Sequence, residues 1–131
     1  MTKYFKQLDQ VWTPVESCDR IHPRQQDDLL VFSCECTPNE SGTSCRGAFI
    51  QVYLDVEITS KTELAIAASI AGDVLEKVGW KVKKHCDQPI WMKMPGIFSC
   101  IFSRVARKRR SVFKFARKDG VSYLAFPWKQ E

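Results

Sequence analysis

Residues 48–80 read AFIQVYLDVEITSKTELAIAASIAGDVLEKVGW, and this stretch decides the fold. Apolar residues alternate without a break from Ile50 to Ile58, and β-branched side chains dominate among them. A period of two with one apolar face is typical of a strand that lies on a core. We therefore predict a strand that ends near Ile58, with Asp55 and Glu57 in a polar row on its solvent side.

A helix is predicted directly after this strand. Ser60 and Glu63 form the capping-box pattern S-x-x-E. Apolar residues then recur at helical spacing: Leu64, Ala67, Ala68, Ala71, Leu75 and Val78. Gly79 is well placed to end the helix in a left-handed conformation. The pattern predicts a helix over about residues 60–78 that packs against a sheet.

The remaining elements are predicted from shorter patterns. Residues 29–36 alternate, which places Leu30, Phe32, Cys34 and Cys36 on one face of a second strand. The turn-rich residues 37–47 join the two strands as an antiparallel pair. Residues 80–85 form a short edge strand, and residues 97–108 favour a helix. Residues 111–126 contain an Asp-Gly turn between two β-rich runs, which predicts a terminal hairpin.

These patterns predict an α+β fold. One main helix, about residues 60–78, packs on one face of an antiparallel sheet, and a basic C-terminal β-hairpin follows. The 131 residues fit a single domain. We divide it into an irregular N-terminal arm (1–28), a hairpin–helix–strand core (29–84) and a basic C-terminal segment (97–131).

The composition predicts a cytoplasmic protein. The chain is 44% hydrophobic, has no apolar run near the length of a membrane span, and begins with a polar segment. We therefore expect no membrane partner. Without a secretion signal, the six cysteines are expected to be reduced or metal-bound rather than paired.

Charge is divided unevenly along the chain. Residues 1–79 carry seven Lys/Arg against twelve Asp/Glu, whereas residues 80–131 carry thirteen against three. A basic half of this size attracts phosphate or an acidic protein surface. The alternative is a dipolar surface whose halves attract each other or a second copy.

The strongest functional feature is the run from Arg104 to Lys118, which contains no acidic residue. We predict that its cations contact an acidic partner. They are Arg104, Arg107, Lys108, Arg109, Arg110, Lys114, Arg117 and Lys118. Aromatic residues are interleaved with or opposite them: Phe113, Phe115, Tyr123 and Phe126. Stacking on bases is one interpretation, but Phe113 and Phe115 share a face of the predicted strand, which favours the core.

The cysteines permit a structural zinc site. Cys18, Cys34, Cys36 and Cys45 could supply four ligands, with His22 as an alternative to Cys18. The C-x-C spacing lacks the two-residue gap that bends a turn around zinc. Cys34 and Cys36 also share an apolar strand face, which favours buried free thiols. A disulfide that involves Cys45 is the third alternative.

Enzyme motifs are lacking. The sequence contains no P-loop, G-x-G-x-x-G or H-E-x-x-H pattern and only two histidines. We expect neither catalysis nor a cofactor, and a small hydrolase or thiol enzyme is a minor alternative.

Three binding functions remain. The favoured one is an inhibitor or adaptor that docks on a nucleic-acid-handling protein complex, for example a phage-type anti-defence protein. Direct, sequence-nonspecific nucleic-acid binding is the first alternative, and a zinc-stabilised interaction module is the second. The acidic N-terminal half disfavours direct contact with a nucleic-acid backbone.

Overall fold

The computed structural model describes residues 24–39, 45–85 and 89–129. Residues 1–23 of the predicted N-terminal arm (1–28) lie outside the described residues. The elements, in chain order, are β1 (Leu29–Pro38), β2 (Cys45–Leu54), α1 (Lys61–Lys77), β3 (Trp80–His85), β4 (Ile90–Met92), α2 (Ile97–Phe102), α3 (Arg104–Asp119) and β5 (Val121–Lys129). None of the described helices has both the length and the apolar character that crossing a bilayer demands.

Within the described residues, five strands form one antiparallel sheet in the order β3-β1-β2-β5, and β4 pairs with β1 beside β3. The predicted α+β fold and the antiparallel pairing of β1 with β2 are confirmed. β2 ends at Leu54 rather than at Ile58 as predicted. One more bond follows the strand, because the Asp55 amide donates a 3.0 Å hydrogen bond to the carbonyl of Gly120, the residue before β5.

α1 covers one face of the sheet, as predicted. Ser60 caps it, because its Oγ accepts a hydrogen bond from the Glu63 amide. The Glu63 carboxylate accepts from the amide and the hydroxyl of Thr59, and these bonds lower the pKa of Glu63. The core on this face joins one side of the helix to alternate residues of β1 and β2: Leu64, Ala67, Ala68, Ala71 and Leu75 with Leu30, Phe32, Cys34, Ile50, Val52 and Leu54.

α3 covers the opposite face, which corrects the predicted C-terminal β-hairpin. Residues 104–119 form one helix, which begins after Ser103 and ends at Gly120 with φ +92°. Its buried residues recur at helical spacing: Ala106, Val112, Phe113 and Ala116. The alternation in SVFKFAR suggested a strand, but this longer apolar period continues through it. The Asp-Gly pair ends a helix instead of turning a hairpin.

A second correction follows from the position of α3. The sheet was predicted to carry a helix on one face, and it carries helices on both. Tyr53 and Gln51, which point away from α1, are therefore buried beneath α3. Asp55 and Glu57 form ion pairs with Arg24 at 2.5 and 3.2 Å.

Candidate docking surface

α3 carries all eight basic residues that the sequence singled out, but it divides them into two groups. Five of them are exposed on the side of the helix away from the sheet. We call these five the basic stripe: Arg104, Arg107, Lys108, Lys114 and Lys118. At 100° per residue they fall within one arc of the helix. No acidic residue interrupts the sequence between them.

The other three arginines attach α3 to the rest of the protein. Arg109 donates from Nε to the Tyr53 hydroxyl at 2.7 Å and from Nη2 to Gln51 Oε1 at 3.1 Å. Arg110 donates to the carbonyl of Pro95 at 2.8 Å. Arg117 bonds the carbonyl of Asp27 and lies 3.8 Å from its carboxylate. These contacts fix the rotation of α3, so the basic stripe faces outward.

Tyr53 is the buried centre of this attachment. Its hydroxyl accepts from Arg109 and donates to Gln51 Oε1 at 2.7 Å, and its ring centroid lies 5.4 Å from that of Phe113. Burial raises the pKa of Tyr53, and the bond from Arg109 offsets this only in part. The neutral phenol is the form that can donate to Gln51.

We predict that Tyr53→Phe lowers the free energy of unfolding by about 1–3 kcal/mol at pH 7, because buried Gln51 and Arg109 each lose a partner. The raised pKa of folded Tyr53 makes the wild type lose stability as the pH rises above about 10, where the unfolded phenol ionises. The Tyr53→Phe variant has no phenol at this position and should therefore lack this part of the loss of stability at high pH. Urea denaturation at pH 7 and pH 10.5 measures both effects, and an identical pH dependence in the two proteins would contradict the assignment.

Phe113 and Phe115 do not share a face, which corrects the interpretation based on a strand. Two positions along a helix differ by about 200°. Phe113 is therefore fully buried, whereas Phe115 is 55% exposed and lies beside Lys114 on the outer side. Tyr123 packs against the core beneath α1. The ring centroid of Phe126 lies 6.1 Å from that of Phe49. Among the four aromatic residues considered for stacking, Phe115 is the one that faces the solvent with the basic stripe.

An apolar surface adjoins the stripe at the start of α3. α2 has no buried residue. We call the exposed side chains here the apolar patch: Ile97, Phe98, Ile101, Phe102 and Val105. Arg107 links the two surfaces, since its Nη1 donates to the carbonyl of Cys100 at 2.7 Å. The sequence showed four-residue spacings here but not that these side chains would be exposed.

The comparisons with known proteins add no family. No family model, curated protein or solved structure gave a significant match. The basic stripe and the apolar patch are therefore the features from which we infer the function.

The proposed zinc ligands are only partly within the described residues. Cys34 and Cys36 are buried in the core beneath α1, as the alternation predicted, and Cys34 Sγ lies 3.8 Å from the carbonyl of Ile50. Cys18 and the side chain of Cys45 lie outside the described part. Within that part, no group of three or more His, Cys, Asp or Glu residues could hold a metal. The zinc site stays a prediction.

Proposed function

We propose that this protein is a non-enzymatic inhibitor or adaptor, which docks through the basic stripe on an acidic surface of a nucleic-acid-handling protein complex. The observation that carries the proposal is the set of exposed cations on one side of α3. Within the described residues, the side chains of Arg104, Lys108, Lys114 and Lys118 form no hydrogen bond or ion pair. Their charge is therefore available to a partner.

The attachment of α3 supports this function. Because Arg109, Arg110 and Arg117 fix the helix, the backbone that carries the stripe is already ordered before a partner arrives. Preorganisation reduces the entropic cost of association. A single-sign field from the stripe also increases the rate of encounter with an acidic surface.

Two features favour a protein over a nucleic acid as the partner. The apolar patch lies beside the stripe, and three of its five side chains are aliphatic, with no ring that could stack on a base. Protein interfaces combine an apolar centre that is rich in aromatic residues with a polar rim. The other face of the sheet is not basic in the same way, since α1 exposes Glu63, Asp73 and Glu76 against Lys61 and Lys77 and so gives a phosphate backbone no second basic surface.

Direct nucleic-acid binding is the second candidate, and Phe115 is the observation that favours it. An exposed aromatic ring among cations can stack on a base, which is worth roughly 1–3 kcal/mol. In that case Phe115→Ala would weaken oligonucleotide binding about tenfold or more.

The proposal includes neither catalysis nor a cofactor. It places the encounter in the cytosol, where buried thiols such as those of Cys34 and Cys36 stay reduced.

Affinity capture tests the function. The immobilised intact protein is incubated with a lysate of the cells that produce it, with and without nuclease, and is then washed at increasing salt. We expect a protein partner that survives nuclease at physiological salt and is released at high salt, as exposed ion pairs are. Complete loss of the captured material after nuclease would assign the stripe to nucleic acid instead.

A further inference from the structure

The apolar patch is too exposed to be part of a core. Phe98 and Phe102 are 79% and 86% exposed, and Ile97 is 67% exposed. A buried aromatic side chain covers 150–250 Å², so these two rings alone offer roughly 300 Å². The largest apolar patch on a typical monomer covers about 300–600 Å² and often serves a function, and the three aliphatic side chains add to the area of the two rings.

α2 is presented in a fixed position. The carbonyl of Pro95, just before the helix, accepts from Arg110. The carbonyl of Cys100, within the helix, accepts from Arg107. Two arginines of α3 thus bond the backbone of α2 and of the residue just before it, and these bonds hold α2 against α3 with its apolar side chains exposed. A preformed anchor loses little conformational freedom when it is buried.

The charges around the patch restrict what can cover it. Arg104 and Arg107 lie beside the patch, and Lys108 continues the stripe. A second copy that met the patch through the same surface would bring these cations together, and like charges across an interface are unfavourable. A partner with carboxylates next to an apolar groove complements both surfaces.

The area of the apolar patch can be compared with the area that a stable protein interface buries. A stable interface buries about 800 Å² on each side, which is more than the patch alone provides. The patch lies at one end of the stripe, and together they supply the apolar and the charged surface that a protein interface combines.

We propose that the apolar patch is the hydrophobic anchor of this interface, and that it inserts into an apolar groove of the partner protein whose edges carry aspartate or glutamate. This inference rests on the proposed function and adds the chemistry of the partner. The mode is that of a helix in a groove. Phe98 and Phe102 fill the groove, and Arg104 and Arg107 meet the carboxylates at its edge.

Site-specific crosslinking tests the proposal. The photoreactive residue p-benzoylphenylalanine replaces Phe102 or, as a control, Ile66, which is 55% exposed on α1. Irradiation of cells that produce each protein should give an adduct with another protein from position 102 and none from position 66. Peptide mapping should locate that adduct in an apolar groove bordered by acidic residues. An adduct with a second copy, with lipid or with a basic surface would overturn the proposal, as would no adduct.

A matched pair of variants separates this proposal from the function on which it rests. Phe98→Ser with Phe102→Ser should reduce affinity for the captured partner by about tenfold or more, whereas Ile66→Ser with Ile70→Ser on α1 should not. All four residues are exposed, so both proteins should fold. Full affinity in the Phe98/Phe102 variant, together with loss in a stripe variant, would refute the anchor and leave the function intact. If the wild type captured no protein, both would fail.

Discussion

Phe113→Ala is expected to lower the free energy of unfolding by about 3–5 kcal/mol, the usual range for a buried phenylalanine. Phe113 is fully buried between α3 and the sheet, with its ring against Tyr53. Phe115→Ala, only two positions away, should change stability by about 0.5 kcal/mol or less, since that side chain is exposed. The difference follows from the helical conformation of residues 104–119.

Urea denaturation followed by circular dichroism measures both variants. The Phe115 variant is a matched control, because it removes the same side chain from the same helix. On a strand, the two residues would share a face, as the sequence alternation suggested. Similar large losses in both variants would therefore contradict the helix and restore the predicted hairpin.

Replacing the three lysines of the basic stripe is expected to weaken partner binding by roughly tenfold to hundredfold. The variant is Lys108→Gln, Lys114→Gln and Lys118→Gln. Each exposed ion pair contributes up to about 1 kcal/mol, and glutamine has nearly the helix propensity of lysine. The unfolding midpoint should stay close to that of the wild type, because these side chains are exposed and form no hydrogen bond or ion pair within the described residues. Affinity for the purified partner and thermal unfolding measure the two properties.

The control removes the same charge from another part of the surface. The control variant is Lys77→Gln, Lys81→Gln and Lys83→Gln; Lys77 is the last residue of α1, Lys81 and Lys83 lie in β3, and all three lysines are exposed. This protein should bind the partner almost as the wild type does. Equal weakening in both variants would show that net charge alone matters, and no weakening in either would exclude the stripe. Arg109 is left unchanged because it supports Tyr53.

The first half of the fold could be predicted because each of its elements is indicated by a pattern within its own stretch of sequence. β2, the capped helix α1 and its stop at Gly79 follow one another in the sequence, and each carries its own pattern. The stretch 111–118 is different, because Phe113 and Phe115 fit a strand while Ala106, Val112 and Ala116 fit a helix. Packing decides between them, since only a helix covers the second face of the sheet and buries Tyr53.

The candidate site was predicted in part. Composition alone identified the eight cations, but which of them are available depends on contacts distant in the sequence. Arg109 bonds Tyr53 across 56 positions, and Arg117 bonds Asp27 across 90. The exposure of Phe98 and Phe102 likewise follows from tertiary structure, because a run of apolar residues normally predicts burial.

Fluorescence anisotropy with labelled single- and double-stranded oligonucleotides tests most directly whether the basic stripe serves a protein partner. We predict weak binding at low salt and none at physiological salt, because an oligonucleotide offers the cations only salt-sensitive phosphate contacts and lacks the apolar groove that we propose for the protein partner. The account would be contradicted by binding that persists at physiological salt and falls steeply as the salt concentration rises. That binding would also have to be lost in the stripe variant, with Lys108, Lys114 and Lys118 replaced, and kept in the control variant, with Lys77, Lys81 and Lys83 replaced. The stripe would then be a nucleic-acid-binding surface.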